Sequence, residues 1–273
     1  MVNYMKISIG TLSKAFDLSD EALRFYEKKG LIHPSREGRC GYRVFERADI
    51  QRIANIKRLK NQSFSLDEIH SVYSCIDEEA LQSLYAVKIR EAQREIDYRL
   101  HIMAHMQETM QILKDAPVLL HEPRPLRAGT VYVLEYPSIE AMWARLPKEP
   151  TLKELFRQLP LTSFTTLVKK EALMGGRCDV RKGILLFEQD ADVLGIDRAQ
   201  FRRIEAQRAI GCLFRLENGV FDVQALLSLL GAYLKGHGLR ACDDLFTAQL
   251  ISFVDGEARA IHYARMIVPV TGV

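Results

Sequence analysis

At 273 residues with 48% hydrophobic composition, the chain can bury a sizeable core without disulfides or metals, and roughly 150 residues per domain gives about two domains. Its five cysteines, Cys40, Cys75, Cys178, Cys212 and Cys242, are scattered and include no CxxC pair, which argues against a disulfide framework and fits a reducing compartment. The net charge of +3 hides an asymmetry: residues 24–60 carry eleven Lys and Arg against four acids, a footprint suited to nucleic acid, although a solvated charged face is the plainer reading of such a patch.

In chain order, the opening MVNYMKISIG lacks the apolar core of a signal peptide, and no later run reaches the ~18 apolar residues of a membrane span. A cytoplasmic location and no membrane partner are therefore expected. Ser8 is a candidate N-cap for a first helix with Ile9, Leu12, Ala15 and Phe16 on its buried face. A second helix starts at Ser19 or Asp20, carries Glu21 in its first turn and Lys28 and Lys29 in its last, and stops at Gly30. Helix, tight turn and helix within about twenty residues form the helix-turn-helix pattern. The stretch LIHPSREGRCGYRVF, punctuated by Pro34, Gly38 and Gly41, predicts a β-hairpin bearing Arg36, Arg39, Tyr42 and Arg43, which would be a wing.

A third helix is expected over 48–60 with Ile50, Ile53, Ala54 and Leu59 inward. Ser65 and Glu68 form a capping box for a fourth, whose stripe is Ile69, Val72, Tyr73 and Ile76. From Glu78 to Asp115 there is neither Pro nor Gly. With Ile89 at heptad position a, the a and d places fall on Ile89, Ala92, Ile96, Arg99, Met103, Met106, Met110 and Leu113. A stripe this long needs cover, either a helix from a second copy of the chain or the chain's own C-terminal part. A linker is expected at Asp115–Pro125. Beyond it, strands are predicted at 130–136, 164–173, 183–188, 208–215, 245–254 and 260–268, with helices at 152–158 and 222–235. That pattern is an α+β domain.

The runs ISIGTLSKAFDLSDEALRFYEKKGLIHPSR and GYRVFERADIQRIANIKRLKNQSFSLDEI, followed by the long helix, resemble the MerR family of transcriptional regulators. Ser63 stands where that family usually has glycine. Residues 126–273, through RAIGCLFRLENG, DVQALLSLLGAYLKGHGL and ARMIVPV, look like the GyrI-like effector-binding domain of multidrug-responsive MerR regulators. The resemblance implies an α+β chain in four parts: a winged helix-turn-helix (1–76), a dimerisation helix (77–116), a linker (117–127) and an effector domain (128–273). It also implies a homodimer joined by an antiparallel coiled coil on double-stranded promoter DNA. Binding of a lipophilic or aromatic effector would distort an over-long promoter spacer so that RNA polymerase engages it, at multidrug efflux or transport genes. The alternative is a DNA-bound repressor or architectural protein whose C-terminal domain mediates oligomerisation or partner binding without an effector.

By the same resemblance Arg24 and Tyr26 on the recognition helix, Tyr42 and Arg43 on the wing, and Lys60 contact DNA, with Phe25 packed against sugar or core. Relatives that bind lipophilic cations often place a glutamate where Phe246 stands. A drug-sized pocket is apolar and aromatic, which makes Tyr132, Tyr136, Trp143 and Phe164 the candidate effector contacts, although each is also a natural core residue. His101 and His105 have zinc-chelating spacing, but in the heptad frame they face outward and no third ligand is evident. No metal and no cofactor are expected. No Gly-rich phosphate loop, GxSxG or nucleophile–base arrangement is present, so no enzyme activity is expected either.

Overall fold

A computed structural model describes residues 6–272 except Arg39, Cys40, Cys75, Ile76, Arg177 and residues 219–221. Arg39 of the hairpin, Cys40, Cys75 and Ile76 of the expected fourth-helix stripe thus lie outside the described residues. The chain divides into two compact units, Met1–Arg94 and Glu95–Val273.

In the first unit, a short strand β1 (Ile7–Ser8) leads into α1 (Ile9–Phe16) and α2 (Asp20–Lys28). Both helices start where a serine side chain accepts a backbone N–H: Ser8 from Thr11 and Ser19 from Ala22. Gly30, at φ +71°, takes the left-handed position that ends α2, and the Leu31 N–H returns to the Tyr26 carbonyl at 2.9 Å. Strands β2 (Ser35–Glu37) and β3 (Tyr42–Phe45) form an antiparallel hairpin, and β1 joins it on the far side of β3. α3 (Arg47–Asn61) opens with a reciprocal capping box between Glu46 and Asp49, and α4 (Leu66–Tyr73) with another between Ser65 and Glu68. Leu12, Leu23, Ile32, Phe45, Ile53, Ile56, Phe64 and Ile69 build one core. Ala54, expected inward, is exposed, and Ile56 takes its place on the buried face of α3.

Helix α5 runs from Glu78 to Leu119. It continues past the expected break at Asp115 and through Pro117. A proline so close to a helix end forfeits only one hydrogen bond. Ile112 and Ala116, packed on Leu213, hold the last turn in place.

The rest of the second unit is one nine-stranded sheet with helices on it. Its strands are β4 (Arg124–Leu126), β5 (Gly129–Tyr136), β6 (Thr162–Val168), β7 (Val180–Phe187), β8 (Arg202–Ala206), β9 (Ala209–Glu217), β10 (Leu239–Ala241), β11 (Leu245–Val254) and β12 (Ala260–Gly272). They lie in the order β4-β9-β12-β11-β6-β7-β5-β8, with β10 beside β12. The helices are α6 (Ile139–Arg145), α7 (Pro150–Arg157), α8 (Glu188–Leu194) and α9 (Val223–Gly236).

Alternation along the strands builds two layers of core. On one face, Leu226 and Leu230 of α9 pack on Phe214 and Met266, while Met142, Leu152 and Leu155 pack on Tyr136, Ile184 and Leu186. The other face carries Val131, Val133, Leu167, Leu185, Phe246 and Ile267. The run ILLF in β7 reads as continuous because both of its faces are covered. Gly183 is required there: a Cβ at that position would lie 2.4 Å from the Leu134 carbonyl oxygen of β5.

The expected strand at 164–173 starts at Thr162 and ends at Val168, after which Lys170–Met174 turns as a 3₁₀ helix. β4 lies inside the expected linker, and α6, α8 and β8 had no clear pattern in the sequence. Each is short, and each is stabilised by packing rather than by its own periodicity.

Candidate nucleic-acid interface and effector cleft

α2 presents Arg24 to solvent and keeps Leu23 fully buried. The next pair reverses the expected division. Phe25 is 44% exposed, with Lys29 Nζ 5.9 Å from its ring centre, whereas Tyr26 is 7% exposed and belongs to the core. Burial pushes the Tyr26 phenol above its ordinary pKa. Helical geometry explains the swap: residue 26 lies three positions from Leu23 and shares its face, while residue 25 does not.

The hairpin carries Tyr42, 72% exposed, and Arg43, which is half-buried. Glu27 of α2 gathers both hairpin arginines: Arg43 Nε donates to its Oε2 at 2.5 Å and Arg36 Nη2 to its Oε1 at 3.1 Å. Burial works to raise the Glu27 pKa, but the hydrogen bonds and charges of Arg43 and Arg36 outweigh it and hold the carboxyl below the ordinary range. Lys60 is exposed at the end of α3. Arg24, Lys28, Arg47, Arg58 and Lys60 make no ion pair among the described residues, so this unit keeps several free cations besides its paired ones.

In the second unit a cleft of about 760 Å³ opens between the C-terminal half of α5 and the sheet. Met106, Met110 and Leu113 form its helix wall, and Leu185, Ala248 and Ile267 its floor. Phe164 lines it. Tyr132, Tyr136 and Trp143 do not. The side chains of Tyr132 and Tyr136 point to the helix-covered face of β5, where the Tyr136 hydroxyl donates to Glu149 Oε1 at 2.8 Å and the Tyr132 hydroxyl to Glu188 Oε1 at 3.4 Å. Burial, and then the Glu149 carboxylate, raise the Tyr136 pKa strongly. Trp143 sits on α6 against Phe156 and Phe164, with ring centres 5.2 and 6.2 Å away. Phe246 is fully buried in the core.

The two histidines of α5 face inward, not outward. Asp190, with no exposed side-chain surface, meets His101 Nδ1 at 3.0 Å and His105 Nε2 at 3.3 Å. The hydrogen bond to Asp190 raises the His105 pKa against the opposing effect of burial. The seam positions Ile89, Ile96, Met103, Met106 and Met110 stay about half exposed or more, so α5 uses the f and c places against the unit's own α8 and leaves its a/d stripe open. Nothing local marks Asp190 as the partner, because it lies 85 residues from His105. Among the described residues no three His, Cys, Asp or Glu side chains are grouped so as to hold a metal ion, and no helix is long and apolar enough to cross a membrane.

An N-terminal helix-turn-helix followed by a long helix and a sheet-rich domain is the build of a DNA-binding regulator. Residues 7–74 match the family described as MerR HTH family regulatory protein. The chain is 32% identical over 98 residues to the mercuric resistance operon regulatory protein of Bacillus cereus, an alignment covering 34% of this chain and 74% of that protein. It is 29% identical over 111 residues to the HTH-type transcriptional regulator ZntR of Escherichia coli (strain K12), covering 40% and 78%. A cryo-EM structure of an EcmrR–DNA complex aligns over 98% of this chain and 100% of that one, at 16% identity and a TM-score of 0.37. The chain belongs to the MerR family of transcriptional regulators, whose members bind promoter DNA; its relatives are regulators, not enzymes.

Proposed function

We propose that the chain is a ligand-responsive transcriptional activator with a GyrI-like effector domain, controlling multidrug efflux or transport genes. Two copies pair through the open stripe of α5 in an antiparallel coiled coil. Arg24, Tyr42, Arg43 and Lys60 contact the phosphate backbone and groove of promoter DNA, with the hairpin acting as the wing. Tyr26 sets the orientation of the recognition helix from within the core, and Phe25 offers an apolar face beside it. An effector in the cleft biases the dimer toward the form that distorts the promoter spacer, which lets RNA polymerase engage both promoter elements.

One observation carries this reading. The helix wall of the cleft, Met106, Met110 and Leu113, consists of residues from the same seam that a partner helix would cover. A molecule in the cleft therefore touches the side chains that set helix packing, and methionines repack at low cost.

The test combines footprinting and in vitro transcription on the DNA upstream of the chain's own gene, with and without lipophilic or aromatic compounds. The expected result is an unchanged footprint with new cleavage in the spacer and more transcript. Compounds that raise the melting temperature yet leave both assays unaltered would refute effector control.

A further inference from the structure

We infer that the cleft takes an amphipathic monoanion, its acid group at Lys114 and its apolar body against the sheet, in preference to a lipophilic cation. This inference rests on the cleft being the effector site. The cleft volume of about 760 Å³ suits a drug-sized molecule. Its floor and helix wall are apolar, so its selectivity lies with four ionisable residues: His105, Glu108, Lys114 and Arg265.

Glu108 is the lone carboxylate among the lining residues, and it is already engaged: Arg265 Nη1 donates to its Oε1 at 3.1 Å. Lys114, six residues further along α5, has no ion pair or hydrogen bond among the described residues. His105 is tied to Asp190, whose carboxylate is fully buried and does not line the cleft. Several of the other polar side chains already have partners, Thr162 Oγ1 donating to the Leu155 carbonyl at 2.7 Å. Ser163 Oγ both donates to the Gln249 carbonyl and accepts from its N–H at 3.0 Å, and Gln249 Nε2 donates to Ser252 Oγ at 2.6 Å.

The face shown to a guest is therefore cationic. A cation's one carboxylate partner in the cleft, Glu108, is already shared with Arg265, so a cation there would sit beside that guanidinium. An anion breaks nothing: it pairs with Lys114, which has no ion pair of its own among the described residues.

The experiment uses the full chain and three probes that differ only in head group: dodecanoate, dodecan-1-ol and dodecyltrimethylammonium. Each is titrated calorimetrically, the two ionic probes below their micellar concentrations and dodecan-1-ol below its solubility limit, into the wild type and into Lys114→Gln. Dodecanoate is expected to bind roughly tenfold more tightly than the ammonium. Lys114→Gln is expected to remove most of that advantage while leaving dodecanol affinity and DNA binding unchanged. Ammonium binding equal to or tighter than dodecanoate overturns the anion preference and leaves the effector cleft standing. An undiminished dodecanoate advantage in Lys114→Gln overturns the assignment of the head-group position. If none of the three binds, the effector cleft itself fails, and the inference with it.

Discussion

Replacing Glu27 by glutamine keeps the shape of the side chain and removes the charge that gathers Arg36 and Arg43 onto the recognition helix. Glu27 and Arg43 are only 23% and 26% exposed, so that charge-assisted hydrogen bond is worth about 1–2 kcal/mol. Arg36 is 56% exposed, and its pair adds about 0.5 kcal/mol. Urea unfolding of the N-terminal transition is therefore expected to show a loss of about 2 kcal/mol. DNA binding should move the other way in its salt dependence. Each arginine freed to neutralise a phosphate steepens the plot of log K against log salt by about 0.9, so the variant slope should exceed that of the wild type by roughly 1 to 2. Arg43→Ala in the Glu27→Gln background is the control and should take back about 1 of that increase. Because the pKa of Glu27 is depressed in the folded state, its contribution is present above the unfolded value of about 4.3. It fades as pH falls through the folded value, so Glu27→Gln should also make the N-terminal unit less sensitive to acid. An unchanged slope would refute the view that these two arginines meet DNA phosphates. Unchanged stability would refute the clamp itself.

Ser63 holds a left-handed backbone, φ +65°, that costs an L-residue about 1–2 kcal/mol, so Ser63→Gly should stabilise by about 0.5–1 kcal/mol after the extra chain entropy of glycine; a urea midpoint that does not rise contradicts this. Asp190 raises the pKa of His105, so the pair stabilises the C-terminal unit fully below about pH 6.5 and progressively less as pH rises through the folded value. His105→Gln should abolish that alkaline loss in melts run between pH 6 and 9, and a persistent pH slope would assign it elsewhere. Cys212 is fully buried and its thiol is pushed up to about 11, whereas Cys178 and Cys242 are exposed. Mass-spectrometric mapping of alkylation should find Cys178 and Cys242 modified in the native protein and Cys212 only after unfolding. Equal native rates would place Cys212 at the surface.

Much of the N-terminal unit was legible because its signals are local. Ser8, Ser19 and Ser65 each cap the helix they precede, Gly30 closes α2, and the apolar spacing of α4 and of Ile9, Leu12 and Phe16 in α1, though not the exposed Ala15, sits within one or two turns. The orientation of Phe25 and Tyr26 was not legible, since two adjacent aromatics leave the choice of buried face to Leu23 and the rest of the core. In the C-terminal unit the long strands β5, β9, β11 and β12 announced themselves by composition. Which face of β5 holds Tyr132 and Tyr136 against helices depends on strands far away in sequence.

The amino-acid sequence by itself determined the helix-turn-helix, the hairpin with its basic surface, the long helix and the α+β character of the C-terminal domain. Caps, turns and periodicity act over a few residues, and the chain carries them wherever it goes. Only the tertiary structure decided which side of α5 stays open, that Asp190 receives His101 and His105, that Arg265 occupies Glu108, and that the cleft is built from the methionine seam rather than from the tyrosines. Each of these outcomes joins groups tens to more than a hundred residues apart, and no local propensity reports on a partner that the fold alone brings within 4 Å.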